Sequence, residues 1–106
     1  MFARNVSIHL KPNTLSDYTR TFENDILPLL RQEKGFTDEI TFANAGGVDV
    51  TAISLWENKT DAEAYNTNTY PQVLKTLAKF IEGTPQVRNS EVVTSTLHNL
   101  AVPVAA

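Results

Sequence analysis

Five side chains carry chemical groups of the kind that an active site or ligand pocket uses. Trp56 is the only tryptophan, with a flat ring and one hydrogen-bond donor, and Tyr65 and Tyr70 add rings with phenolic hydroxyls. Asn5 brings an amide, and His9 brings an imidazole that can act as a general base near neutral pH. These residue types suit a site that holds an aromatic ligand and moves a proton.

Each of these residues also has a structural explanation. Trp56 could cap the core at the end of a strand and nothing more. Tyr65 and Tyr70 could fill the core with their hydroxyls at the surface. Asn5 and His9 share one face of a strand, and a histidine at a strand end is commonly an exposed residue.

The composition argues against several other kinds of site. The chain has no cysteine, which excludes a disulfide scaffold, a cysteine nucleophile and a thiolate-ligated metal centre. His9 and His98 are expected at opposite ends of a sheet, roughly 15 Å apart at ~3.3 Å per residue, so we expect no two-histidine metal site. Phosphate-binding glycine loops and nucleophile elbows are absent from the sequence. We therefore expect no metal and no flavin.

The charge and hydropathy of the sequence indicate which partners and which cellular location to expect. Nine Lys and Arg against twelve Asp and Glu give a net charge of −3 without a basic cluster, so nucleic acid is not an expected partner. No apolar run approaches the ~20 residues of a membrane helix, and the first residues do not resemble a signal peptide. We predict one domain over residues 1–106, located in the cytoplasm, with no membrane partner.

The spacing of apolar residues predicts the elements that position these side chains. Alternation indicates strands, spacing of three and four indicates helices, and Pro28 is expected to kink or tighten the first helix. Capping boxes are predicted at Thr14 and over Thr60–Glu63, and Gly83 to Pro85 is predicted to end the second helical region. The predicted order is strand (Phe2–Leu10), helix (Leu15–Leu30), two strands (Phe36–Ala43 and Val48–Trp56), interrupted helical arm (Thr60–Glu82) and strand (Ser90–Leu100).

This β-α-β-β-α-β order predicts an α+β, ferredoxin-like fold. It is a four-stranded antiparallel sheet with strands one and three in the centre and helices on one face. Strands three and four carry apolar residues on both faces, so the face without helices is expected to be an interface. We expect a symmetric homodimer with two sheets packed together, because twofold dimers are the commonest oligomers. The alternative is a monomer with a mildly apolar sheet.

The chain resembles the antibiotic-biosynthesis-monooxygenase-like domains of the dimeric α/β-barrel superfamily. Gly35-Phe36 opens a strand, Trp56-Glu57 ends the next, and an alanine-containing helix carries Tyr65, with Tyr70 after a polar break. The resemblance covers nearly the whole chain in element order. It implies a barrel built across a dimer. It also implies a family that includes cofactor-free oxygenases of aromatic polyketides or quinols, haem degraders, and members without known activity.

For each activity of that family, this chain has one of the characteristic residues and lacks another. The haem degraders carry an Asn, a Trp and a His where this chain has Asn5, Tyr65 and Lys75. Without the imidazole there is no evident iron ligand, so we expect no haem. The polyketide oxygenases carry an Asn four residues before the strand-three Trp, and here Ala52 precedes Trp56. Quinol-oxidising members often carry a His at the position of Tyr65.

Two functions follow as hypotheses. The first is a cofactor-independent monooxygenase for a small aromatic or quinol-type substrate. Its catalytic residues would be Asn5, His9, Trp56 and Tyr65. Trp56, Tyr65 and Tyr70 would form a pocket wall between the sheet and the helical arm. The alternative is a non-catalytic dimeric barrel that binds a small apolar ligand or has a structural role. A cavity of a few hundred Å³ touching Trp56 would favour the enzyme.

Overall fold

The computed structural model describes residues 1–98, which contain four strands and four α-helices. In chain order these are β1 (Phe2–Leu10), α1 (Leu15–Thr21), α2 (Leu27–Arg31), β2 (Phe36–Ala43), β3 (Asp49–Trp56), α3 (Lys59–Asn68), α4 (Tyr70–Leu77) and β4 (Ile81–Glu91). The strands form one antiparallel sheet in the order β2-β3-β1-β4. The predicted α+β, ferredoxin-like arrangement, with strands one and three in the centre, is confirmed.

Alternation along β1 determines which side chains face the helices. Arg4, Val6 and Ile8 are buried, whereas Ser7 and His9 are exposed. Successive side chains of a strand point to opposite faces of the sheet. Residues in phase with Val6 therefore face the helices, and residues in phase with Ser7 lie on the open face.

The first helical region changes its helix type just before Pro28. A proline lacks the backbone donor, and its ring clashes with the carbonyl four residues earlier. The helix widens into a π-helical segment over Phe22–Ile26 before α2, which has Pro28 in its first turn. The region is thus widened, not tightened. The predicted capping box at Thr14 is wrong, because the Thr14 hydroxyl donates to the carbonyl of Lys11 at 2.7 Å.

The second helical region begins and ends earlier than predicted. Asn58 caps α3, since its side-chain oxygen accepts a hydrogen bond from the Asp61 N–H at 2.9 Å, so the capping box over Thr60–Glu63 is wrong. Thr69 separates α3 from α4 at the predicted polar break. A 3₁₀ turn over Ala78–Phe80 completes the region.

The fourth strand lies at Ile81–Glu91 and not at Ser90–Leu100. Gly83 and Pro85 lie inside this strand and do not end the helical arm. As an edge strand, β4 tolerates proline, and most of its side chains are exposed, so it lacks the apolar alternation that would reveal it. Residues 92–98 continue outside the strand, while Asn99 and Leu100 lie outside the described residues.

The sheet has one covered face and one open face. The core lies between the helices and the covered face, with Leu10, Ile26 and Trp56 fully buried. On the open face, Ile40 is 51% and Phe42 is 53% exposed. The uncovered apolar surface of the sheet is thus on β2, beside partly buried residues of β3. Val93 and Leu97, which were predicted in strand four, are exposed as well, but they lie in the segment that follows β4. No helix within residues 1–98 is long and apolar enough to cross a membrane.

Candidate functional site

A cavity lies between the covered face of the sheet and the helices. All three tyrosines of the chain line it, together with three polar residues and a set of apolar ones. The polar residues are Arg4, Glu39 and Ser54. The volume of the cavity that is open to the centres of water molecules is about 40 Å³. Because one buried water needs roughly 10–15 Å³ of such volume, the cavity has room for about three waters.

Arg4 provides the positive charge of the cavity. Its side chain is on the apolar face of β1, and the residue is only 3% exposed. The guanidinium carbon lies 5.0 Å from the ring centroid of Tyr65 and 4.5 Å from that of Tyr70, which are cation–π distances. Its Nη2 donates to Asn66 Oδ1 at 2.8 Å. Burial lowers the pKa of Arg4, and the two neighbouring tyrosines oppose that shift.

No acidic side chain neutralises this guanidinium within the part of the chain that the structure describes. The ion pairs in residues 1–98 involve Arg20 and Lys59, the histidine–carboxylate contacts involve His9 and His98, and none of them includes Arg4. Arg4 therefore has aromatic and amide partners but no anionic one.

Tyr18 and Glu39 contribute further polar groups to the cavity. Tyr18 is 1% exposed, and its hydroxyl has no hydrogen-bond partner among residues 1–98. Glu39 projects from β2 opposite Ser54, and its carboxylate accepts a hydrogen bond from the Thr41 hydroxyl at 2.6 Å. Burial raises the pKa of Glu39 in spite of that hydrogen bond.

The three phenols stay protonated at neutral pH. Burial raises the pKa of Tyr65 to about 12, with the charge of Arg4 opposing the shift. Burial also raises the pKa of Tyr18 and of Tyr70. Protonated phenols act as hydrogen-bond donors, so Glu39 is the lining residue able to accept a proton at neutral pH.

Of the predicted pocket residues, Tyr65 and Tyr70 lie on the cavity wall and Trp56 does not. Trp56 is fully buried, its ring is centred 5.0 Å from that of Tyr65, and its Nε1 donates to Ser54 Oγ at 2.9 Å. The prediction that Trp56 forms part of the wall is therefore wrong. Its ring is enclosed by core packing, and Ser54 already takes its only donor.

The structure also separates Asn5 and His9 from the cavity. Both are in phase with Ser7, on the open face of the sheet. His9 is exposed, and its Nδ1 lies 2.8 Å from Asp49 Oδ1. The expectation that these two residues share a site with Tyr65 within one chain is wrong, because they project from the opposite face of β1.

The other histidine lies elsewhere as well. His98 contacts Asp38 of β2, whereas His9 pairs with Asp49 of β3. Residues 1–98 contain no group of three or more His, Asp or Glu side chains placed to hold a metal ion.

Four polar lining residues are not among the site residues that the sequence predicts, namely Arg4, Tyr18, Glu39 and Ser54. Arg4 could have been found, because it is a charge on the apolar phase of β1 between Phe2 and Val6. Tyr18 is spaced like the apolar residues of the first helix, and nothing local indicates that its hydroxyl faces a cavity. Glu39 is one of many charges in the sequence, and a register shift between Phe36 and Asp38 sets the face on which it lies.

Comparison with known proteins supports the fold. No family model and no curated protein matches the chain. A protein of unknown function from Nitrosomonas europaea is 17% identical with a TM-score of 0.74, over 92% of this chain and 94% of that one. A monooxygenase from the gene ActVA-Orf6 of Streptomyces coelicolor, solved with nanaomycin D, is 16% identical with a TM-score of 0.76, over 92% of each chain.

A third solved structure is a mutant of SnoaB, a cofactor-independent oxygenase from Streptomyces nogalater. It is 9% identical with a TM-score of 0.73, over 92% of this chain and 97% of that one. At these identities the likeness shows the fold alone. The chain has the fold of the antibiotic-biosynthesis-monooxygenase-like domains, so the resemblance seen in the sequence is confirmed at the level of the fold.

Proposed function

We propose that the chain is a monooxygenase-like protein that oxidises a small, electron-rich aromatic or quinol-type compound in the cavity between sheet and helices. The observation that carries this proposal is the cavity itself, which combines three phenols, a guanidinium and a carboxylate of raised pKa. Its fold is also that of SnoaB and of the Streptomyces coelicolor monooxygenase.

The reaction draws its electrons from the substrate. A phenol with a free para carbon reacts with O₂ to give a quinone and water. One oxygen atom bonds to the ring, and the other leaves as water with the hydrogens of the phenol O–H and the para C–H. The protein excludes water, holds the ring and accepts a proton. Tyr65 and Tyr70 hold the ring, and Glu39 accepts the proton.

We propose that no metal, haem or flavin takes part. The chain has no cysteine, and its two histidines pair with Asp49 and Asp38 at separate places. The residue that aligns with the haem-ligand position of the resembling haem degraders is Lys75, which is exposed. These side chains do not form a ligand set for such a group.

Ring entry requires the cavity to widen. Space for about three waters is less than an aromatic ring with substituents needs. Tyr70, Leu74 and Ile81 are the partly exposed lining residues on the second helical region and β4. Because Thr69 interrupts the helix just before Tyr70, we place the opening motion at this break.

The proposed assembly is a homodimer that buries the open face of the sheet. Ile40 and Phe42 are half exposed there, and a patch of this kind usually marks an interface. A symmetric pairing would cover the same residues on both copies. Asn5 and His9 would then lie at or near the contact between the two sheets.

Oxygen consumption with syringol, an electron-rich phenol with a single ring, tests the function. We expect one O₂ per dimethoxybenzoquinone formed, with label from isotopic O₂ in the product and no hydrogen peroxide. Glu39→Gln should slow this oxidation roughly 100-fold or more, in the range of general-base contributions, whereas His9→Ala on the other face should not change it.

A different outcome would favour the second candidate, a non-catalytic dimeric barrel that binds a small ligand. The narrow cavity and the enclosed Trp56 are the observations on its side. Ligand binding to the cavity without oxygen uptake, for syringol and for a series of hydroquinones, would establish that reading. Peroxide release without label in the product would indicate a quinol oxidase in place of a monooxygenase.

A further inference from the structure

We infer that the cavity selects a small aromatic ligand carrying an anionic oxygen, with Arg4 binding that oxygen and Tyr18 donating a second hydrogen bond. The anionic oxygen belongs to a carboxylate or an ionised phenol. The inference rests on the proposed function in one respect, that the ligand occupies the same cavity, and it adds the charge class of that ligand.

The first observation is that the charge of Arg4 is buried without a counter-ion. Buried charges in proteins are normally paired with an opposite charge. A guanidinium has five N–H donors, and the side-chain hydrogen-bond partners of Arg4 are neutral groups, the amide of Asn66 at 2.8 Å and the protonated phenol of Tyr70. The rings of Tyr65 and Tyr70 contribute cation–π contacts but no negative charge. An anionic oxygen in the cavity would complete this environment.

The second, independent observation is the hydroxyl of Tyr18. It is buried, lines the same cavity, and has no hydrogen-bond partner in residues 1–98. An unmade hydrogen bond in a protein interior carries a free-energy cost. Two uncompensated polar groups on one cavity wall are explained together if a ligand with two oxygen-bearing substituents satisfies both.

The acidic residues nearby determine how an anion can be oriented. Arg4 also borders a second cleft, between α3 and β4, and Glu63 lines that cleft. Repulsion by Glu63 disfavours an anion on that side. In the main cavity, Glu39 is the acidic lining residue, so the anionic oxygen should point to Arg4 and away from Glu39.

The test begins with the wild-type protein and needs no variant. Affinities are measured by calorimetry at neutral pH and without oxygen for benzoate, p-nitrophenolate and the neutral nitrobenzene. A charge-assisted contact predicts that both anions bind about 10-fold or more tightly than nitrobenzene. Binding should also lower the apparent pKa of p-nitrophenol, seen in its visible absorbance. Nitrobenzene binding as tightly as the anions, or no anion binding, would overturn the inference.

The probes also separate the two sources of the anionic oxygen. Preference for benzoate over p-nitrophenolate identifies an aromatic acid, and the reverse identifies a phenol that binds in its ionised form. Both results support Arg4 as the anion-binding residue.

A matched pair of variants assigns the preference to one residue. Arg4→Met should lower anion affinity about 10-fold or more and leave nitrobenzene binding within 2-fold. Arg88→Met removes the same charge from the exposed, open face of β4 opposite Asn5, and should change neither. An anion preference that survives in Arg4→Met would refute the assignment. If Arg4→Met does not fold, the wild-type comparison alone decides.

The variant Tyr18→Phe tests the proposed hydrogen bond from Tyr18 separately from the proposed contact with Arg4. It should weaken p-nitrophenolate, which has a second oxygen-bearing group, about 3-fold to 10-fold, and leave benzoate unchanged. Equal losses for both probes, or none, would remove Tyr18 from the inference.

The stability of Arg4→Met distinguishes a ligand-binding Arg4 from a purely structural one, because the two roles predict different changes in the free energy of unfolding. Replacing an uncompensated buried charge by an apolar side chain of similar length is neutral or stabilising, and exposed Asn66 can bond to water instead. Arg4→Met should therefore unfold at the same or a higher urea concentration than wild type. A large loss of stability would mean that Arg4 is retained for packing.

These measurements separate this inference from the proposed function. An anion preference without oxygen uptake would support the inference and reject the oxygenase. Oxygen uptake with no anion preference would support the oxygenase and reject the inference.

Discussion

The indole N–H of Trp56 donates a hydrogen bond to the hydroxyl oxygen of Ser54 at 2.9 Å, and both side chains are buried. The two residues lie two apart on the same face of β3, which brings their side chains side by side. Because Ser54 lines the cavity and Trp56 does not, this hydrogen bond connects the core to the cavity wall.

Ser54→Ala should therefore destabilise the protein by about 1–3 kcal/mol, because the buried indole N–H loses its acceptor. Urea denaturation followed by tryptophan fluorescence measures this. Ser54→Thr keeps the acceptor oxygen and is the control, with an expected loss below that of the alanine variant. A loss under about 0.5 kcal/mol in Ser54→Ala would mean that water replaces the hydroxyl.

Gly35→Ala should be strongly destabilising. Gly35 has a φ of +80°, and a Cβ at that position would overlap the carboxylate of Asp61 on α3. The left-handed conformation alone costs about 1–2 kcal/mol for an L-residue, and the overlap adds to it, so we expect a loss above about 2 kcal/mol. Gly83→Ala is the matched control, since Gly83 has a φ of +72° with open space around its Cα. Equal losses in thermal or urea unfolding would show that the contact with Asp61 relaxes.

The tyrosines should ionise only at strongly alkaline pH. Burial raises the pKa of all three phenols above the ordinary value near 10, that of Tyr65 to about 12. Because the folded pKa exceeds the unfolded one, the stability linked to Tyr65 is complete below pH ~10 and is lost as the pH rises through about 12. Ultraviolet absorbance at about pH 10 should show little phenolate in the native protein, whereas in urea about half of each of the three phenols should be ionised. A phenol that titrates near pH 10 in the native state would contradict its burial.

Glu39→Gln should stabilise the protein at neutral pH. Burial raises the pKa of Glu39, so its folded pKa lies above the unfolded one. Its contribution to stability is therefore present below the unfolded pKa, near pH 4, and is lost as the pH rises through the folded pKa. The gain in Glu39→Gln should thus disappear below about pH 4. Glu23→Gln, at an exposed position of the π-helical segment, is the control that removes one carboxylate of the same type. Urea unfolding at several pH values measures both.

Phe42→Lys should convert the proposed dimer to a monomer. Phe42 is 53% exposed on the open face, and two symmetric copies of a charge at an apolar contact lack opposite partners. Light scattering should give twice the chain mass of 11.8 kDa for wild type and the chain mass for the variant. Leu29→Lys, on the helical side of the molecule, should leave the mass unchanged. A monomeric wild type at micromolar concentration would reject the sheet-to-sheet dimer.

Elements that are buried on one face have an apolar period, and this made them predictable from the sequence. Strands β1 and β2 have the predicted bounds, and β3 differs by one residue. The element order was then enough to predict the ferredoxin-like topology, because short connections leave few ways to arrange it. The same alternation already placed Arg4 in phase with Val6 and Ile8, and so among apolar neighbours.

The contacts between side chains of different elements could not be predicted from the sequence, because they depend on how those elements pack. Strand β4 was misplaced because an exposed edge strand has no apolar period to detect. Glu39 faces the cavity because of a register shift between Phe36 and Asp38, and Tyr18 of α1 lines the same cavity. Trp56 is enclosed by Tyr65 and Phe36, which come from other elements. Periodicity reports on one element at a time, whereas a cavity is formed by residues distant in sequence, whose contacts depend on how the elements pack.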